Sequence, residues 1–104
     1  MKRRQRLKLS RREMQDLMDR AILRILVKKG LTRWTKLEKT VLSAQLPFAT
    51  SQRFRSRMKY LLTRKLIEKT QRGIYKITDS GVKYLETLES IYANFNEKRF
   101  LTVK

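Results

Sequence analysis

Between Leu61 and Gly81 the residue pattern changes character twice. Leu61-Leu62 closes a stretch whose apolar residues recur at helical spacing. Ile67 to Thr70 and Ile74 to Thr78 are then rich in β-branched residues, as strands are. The joint between them, Gln71-Arg72-Gly73, is short, and Gly73 can take the positive φ that a tight turn needs. Thr78-Asp79-Ser80-Gly81 opens another helix, with the Asp79 carboxylate favoured at its N-terminus. Helix, strand, turn, strand and helix start, in that order, set an antiparallel hairpin between two helices.

The rest of the chain reads as helix. Ser10 and Glu13 have the spacing of a capping box, and Leu9 can staple onto Met14. Met14, Leu17, Met18, Ala21, Ile22, Ile25 and Leu26 then give one apolar face, and Gly30 supplies the stop. Leu31 to Trp34 can lie as a short strand beside the hairpin. Thr35 and Glu38 read as a second capping box, with Leu37, Val41 and Leu42 behind it in a short helix that runs out near Gln45. Pro47 separates this from a third helix over about residues 50–64, whose buried face is Phe54, Met58, Leu61 and Leu62. A fourth helix carries Val82, Leu85, Leu88, Ile91, Tyr92 and Phe95. The fold class expected is α+β, mainly α, in one domain over residues 13–96. Residues 1–12 form a basic arm and 97–104 a short tail.

Charge decides what such a domain can meet. The 104 residues hold 27 Lys and Arg against 9 Asp and Glu, a net charge of +18. Such a field favours polyanions and fast, salt-sensitive association. Forty per cent hydrophobic residues suffice for one core, so the charge does not by itself signal disorder. With no cysteine and no histidine, disulfides, thiolate nucleophiles, Cys- or His-based metal sites and a histidine base are all excluded. The closest acid pairs, Asp16 with Asp19 and Glu86 with Glu89, lie at helical surface spacing with Lys or Arg nearby, so they read as solvated ion pairs. No Gly-rich phosphate loop and no nucleophile–base set is present. The expectation is no enzyme, no cofactor and no metal. No signal peptide or membrane span is evident, which leads to an expected cytoplasmic, nucleoid-associated location with no membrane partner.

Two stretches, Gly30-Leu31-Thr32-Arg33-Trp34-Thr35-Lys36-Leu37-Glu38-Lys39 and Leu66-Ile67-Glu68 through Tyr75-Lys76-Ile77-Thr78-Asp79-Ser80-Gly81 to Leu85, resemble the winged helix-turn-helix superfamily, in particular small archaeal transcriptional regulators and their plasmid or viral relatives. The resemblance covers roughly residues 10 to 95. It implies a dimeric double-stranded-DNA-binding regulator with a two-stranded wing, the third helix in the major groove and the wing, residues 67–78, near an adjacent minor groove. Where the family usually has Gly before the Leu-Ile pair that opens the wing, this chain has Lys65. In a left-handed turn there Lys costs about 1 kcal/mol or more relative to Gly.

The residues of the third helix suit that role. With Phe54 inward and 100° per residue, Gln52, Ser56, Lys59 and Thr63 point outward, flanked by Arg53, Arg55 and Tyr60, with Thr50 and Ser51 at the helix start. Gln pairs well with adenine, Arg with guanine, and Ser or Thr with base edges or phosphates. From Lys39 through Ile67 there are seven basic residues and no acid, whereas an ordinary solvated face mixes both signs. Arg57 sits toward the buried flank, where it packs or pairs internally. On the hairpin, Lys69, Gln71, Arg72 and Lys76 are candidate DNA contacts, Lys69 and Lys76 equally serving as edge-strand charges. In the arm, Lys2, Arg3, Arg4 and Arg6 could follow a groove or remain a solvated tail. Trp34 reads as a core plug before a base-stacking residue. Leu85, Leu88, Tyr92 and Phe95 form a stripe read as a homodimer interface, or else as a face packed on the first helix. The sequence specifies no small-molecule effector. An RNA-binding or ribosome-associated protein and a sequence-neutral chromatin protein are the alternative readings.

Overall fold

A computed structural model describes residues 9–44 and 46–94. The element order is α1 (Arg11–Lys29), β1 (Thr32–Arg33), α2 (Trp34–Leu42), α3 (Ser51–Thr63), β2 (Ile67–Gln71), β3 (Ile74–Ile77) and α4 (Asp79–Ile91). The architecture is α+β and mainly helical, with one small antiparallel sheet in the order β1-β3-β2. Thr32 pairs with Tyr75, so the short segment before α2 joins the hairpin as its third strand.

The α1 helix is the hub. Its start has the expected geometry: Ser10 Oγ accepts from the Glu13 amide at 3.0 Å, and the Glu13 carboxylate accepts from the Ser10 amide at 2.8 Å. The helix thus begins at Arg11, directly after its Ser10 cap, so Arg11 and Arg12 of the 1–12 arm belong to the helix. Lys2, Arg3, Arg4 and Arg6 lie outside the described residues. Elements α2, α3, α4 and β3 all pack on α1. Consequently Leu23 and the charged pair Asp19 and Arg20 are buried along with Leu17, Met18, Ala21, Ile22 and Leu26. A one-sided amphipathic pattern understates a helix that is covered from several directions.

The second capping box does not form. The α2 helix starts one residue before Thr35, at Trp34, with Arg33 in the cap position and no side-chain cap. Pairing of Thr32 and Arg33 with β3 and a hydrogen bond from the Trp34 amide to the Gly73 carbonyl (2.8 Å) set where the helix begins. Trp34 is a core plug, packed edge-on to Phe54 at 5.2 Å and tilted against Tyr75 at 5.7 Å. These contacts join α2, α3 and β3, each aromatic pair adding about 0.5–1.5 kcal/mol beyond burial.

Three backbone features shape the hairpin and its exit. Gly73 has φ 72° in the turn, and Thr70 makes a bulge, since Lys69 faces Tyr75 but Gln71 faces Ile74. Lys65 has φ 61°, the left-handed conformation expected to be costly for a lysine. Thr78 braces that turn. Its hydroxyl donates to the Lys65 carbonyl at 2.8 Å and accepts from the Gly81 amide at 3.0 Å, while its amide donates to the Leu66 carbonyl at 3.1 Å. Gly81 then lets α4 come close: a Cβ there would sit 2.0 Å from the Leu66 carbonyl oxygen.

The expected interface stripe on α4 is corrected by packing. Leu85 and Leu88 are buried in the chain's own core, Leu88 only 2% exposed, because α4 lies on α1. Tyr92 caps the helix end and donates from its hydroxyl to Asp16 at 2.7 Å. The helix stops at Ile91, and Phe95 lies outside the described residues. The large apolar side chains that α4 leaves exposed are Val82 and Ile91. Among the described residues, no helix is long and apolar enough to cross a membrane.

Candidate nucleic-acid interface

The α3 helix begins cleanly because Thr50 can cap it: its hydroxyl accepts from the Arg53 amide at 3.1 Å. Phe54, Met58 and Leu61 are fully buried, which fixes the rotation of the helix about its axis. The remaining side chains then sort into two flanks.

On the flank toward α1 the cations are engaged. Arg57 donates from Nε and Nη2 to the two carboxylate oxygens of Asp19, both at 2.8 Å, in a fork-to-fork pair. Tyr84 of α4 donates its hydroxyl to Asp19 at 3.1 Å. Burial pushes the Asp19 carboxyl up, opposed by its bonds to Arg57 and Tyr84. The Asp19 bond holds Arg57 firmly charged. This triad bolts α1, α3 and α4 together, so Asp19 is a buried structural anion and not the solvated partner its spacing suggested. The Arg57 guanidinium also lies 4.1 Å over the Tyr60 ring, which Arg64 approaches at 5.5 Å. Tyr60 is therefore half-buried between two cations. Arg53, expected beside the outward readers, turns back instead: Nη1 donates to the Phe48 carbonyl at 3.0 Å and lies 3.9 Å from the Met14 sulfur.

On the outward face the reverse holds. Ser51, Gln52, Arg55, Ser56, Lys59 and Thr63 are all exposed. Among the described residues, the side chains of Gln52, Arg55, Lys59 and Thr63 form no hydrogen bond or ion pair. At the hairpin, Lys69, Gln71 and Arg72 are exposed, whereas Lys76 pairs across the strands with Glu68 at 3.3 Å. Of the expected site residues, the structure thus keeps Gln52, Arg55, Ser56, Lys59 and Thr63 together on one surface, gives Thr50 a capping role, engages the exposed Arg53 with the Phe48 carbonyl and half-buries Tyr60.

A second set of polar contacts holds α4 to α1. Arg24 donates from Nε and Nη2 to Glu89 at 2.6 and 2.8 Å, and Arg20 bonds the Tyr92 carbonyl at 3.0 Å. The Arg24 bond holds the Glu89 carboxyl below its ordinary range. Sequence reading missed Arg20 and Asp19 as core residues. The available signal was two charges inside an apolar helical run, which suits a buried polar network as well as a surface stripe.

Among the described residues no cluster of Asp and Glu could hold a metal ion. The chain matches no protein-family model and no curated protein.

Proposed function

We propose that this chain is a winged-helix-type, sequence-specific double-stranded-DNA-binding regulator. In this reading α3 enters the major groove and the β2–β3 hairpin lies near the neighbouring minor groove. One observation carries the reading: the exposed face of α3 presents Gln52, Arg55, Lys59 and Thr63 without intramolecular partners, in a stretch from residue 39 to 67 that has no acid. A solvated structural face would mix signs. Gln52 and Arg55 lie one turn apart and carry the amide and guanidinium that read adenine and guanine edges, while Lys59 supplies a phosphate or guanine contact. Helix α3 is bolted to α1 and α4 through Arg57, Asp19 and Tyr84, so its readers are held on a rigid element. Lys69 and Arg72 on the hairpin are suited to phosphates, which position a protein without selecting sequence.

Selection from a randomised duplex library at about 150 mM salt, with tRNA as competitor, tests the proposal. Enrichment of a motif supports it, and an inverted repeat would add that two copies bind together. Retention by tRNA without a DNA motif would replace this reading with RNA binding. Retention on all duplexes alike would replace it with sequence-neutral packaging.

A further inference from the structure

A cleft of about 320 Å³ opens between the first turns of α1 and the flank of α3. It is lined by Arg11, Met14, Gln15 and Met18 from α1 and by Arg53, Ser56 and Arg57 from α3. We infer that this cleft is a binding site for a phosphate group, held by the three guanidiniums with Gln15 and Ser56 as neutral donors.

The chemistry of the lining supports this class of ligand. Three of the seven lining residues are arginines and none is acidic. The carboxylate bonded to Arg57, Asp19, takes Nε and Nη2. That leaves the Nη1 edge of Arg57 outside the ion pair, on a guanidinium already oriented by Asp19 and by the Tyr60 ring. Arg53 is similarly fixed by one nitrogen, Nη1, on the Phe48 carbonyl, and keeps its other N–H donors. Guanidiniums immobilised by the protein lose little entropy when they bind an oxyanion, and planar N–H forks match phosphate oxygens. Arg11 is exposed at the start of α1, where the helix dipole also favours an anion. Met14 and Met18 give the cleft an apolar floor.

Two sources could supply the phosphate: the backbone of a bound duplex or a free phosphate compound. The cleft borders the outward face of α3 through Ser56, so a duplex engaged by α3 would bring a backbone phosphate to it; this arm rests on the DNA-binding reading. It also reassigns Ser56 from base edge to phosphate.

Both arms use the full chain and the exposed substitutions Arg11→Met and Ser56→Ala. Lys28→Met is the charge-matched control, about 26 Å along α1 from Arg11. In the first arm, inorganic phosphate replaces chloride at constant ionic strength while amide NMR shifts are followed. Saturating shifts at Arg11, Gln15 and Ser56, with binding about tenfold weaker in Arg11→Met and Ser56→Ala but not in Lys28→Met, establish a free-phosphate site. That result would stand even for a protein that binds no duplex, in which case the DNA-binding reading alone falls. In the second arm, duplex affinity is followed against salt. A log–log slope smaller by about one in Arg11→Met than in Lys28→Met, with Ser56→Ala weakening selected and random duplexes alike, assigns the site to a backbone phosphate. No saturating phosphate shifts, together with duplex binding that Arg11→Met and Ser56→Ala change no more than Lys28→Met does, overturns the inference. So does a protein that binds neither.

Discussion

Helices α3 and α4 are each 13 residues long and both pack on α1, yet they treat charge in opposite ways. On α4 the signs are mixed: Asp79, Glu86 and Glu89 stand among Lys83 and neutral residues, and Glu89 is tied to Arg24 of α1. On α3 every charge is positive. One cation, Arg57, is committed to a buried carboxylate, and others, Arg55 and Lys59, are left to solvent. Isolated surface ion pairs are worth little, so leaving cations unpaired costs the fold almost nothing. It does create a directional field. Two helices of one basic chain thus differ in kind: α3 carries cations alone, whereas α4 carries three carboxylates and one lysine.

The contrast breaks most visibly at the shared anchor. Asp19→Ala leaves Arg57 without its buried partner and should cost about 3–5 kcal/mol in urea unfolding, because an uncompensated buried charge is worse than no pair at all. Asp19→Ala combined with Arg57→Met should cost clearly less than the two single changes added together. On the outward face of α3, Arg55→Ala should weaken selected-duplex binding by roughly 1–3 kcal/mol with little change in stability. Lys69→Ala should weaken all duplexes about equally. Arg53→Ala should lower the melting temperature, since its guanidinium holds the Phe48 carbonyl. At the exit from α3, Lys65→Gly should raise stability by about 1 kcal/mol by relieving the left-handed lysine, with DNA binding unchanged.

The smallest effect concerns α4. The Glu89 carboxyl is held below its ordinary range, chiefly by its bond to Arg24, so the folded state binds that proton less readily than the unfolded chain. Its contribution is therefore present at neutral pH and lost as pH falls through the folded-state value. Glu89→Gln should slightly lower the melting temperature at neutral pH and flatten its decline in acid. Asp19, shifted the other way by burial, works against that decline, so the difference between wild type and Glu89→Gln is the quantity to measure.

Much of the local structure was legible because it depends on neighbours in sequence. The Ser10–Glu13 box, the Gly73 turn, the helix starts near Thr50 and Thr78 and the buried Phe54, Met58 and Leu61 all follow from spacing and backbone chemistry. Arg57 was placed on the inner flank by helical angle alone, and Trp34 was read as a core plug, as its packing on Phe54 and Tyr75 has it. Legibility failed where a distant element decides. The start of α2 was misplaced because pairing of Thr32 with Tyr75, more than forty residues away, sets it. Leu85 and Leu88 were assigned to a partner copy because nothing local says that α4 will lie on α1.

By itself, then, the sequence determined where helices and strands form, the absence of thiol and imidazole chemistry, and a segment of one charge sign between residues 39 and 67. Those are properties of spacing and composition. Tertiary structure alone decided which charges are structural. Asp19 and Arg20 look like any other exposed ionic residues until α1 is enclosed by its neighbours. Enclosure removes water, and a charge without water must find a partner. That same step left Gln52, Arg55, Lys59 and Thr63 outside the network, facing solvent on a helix that cannot turn.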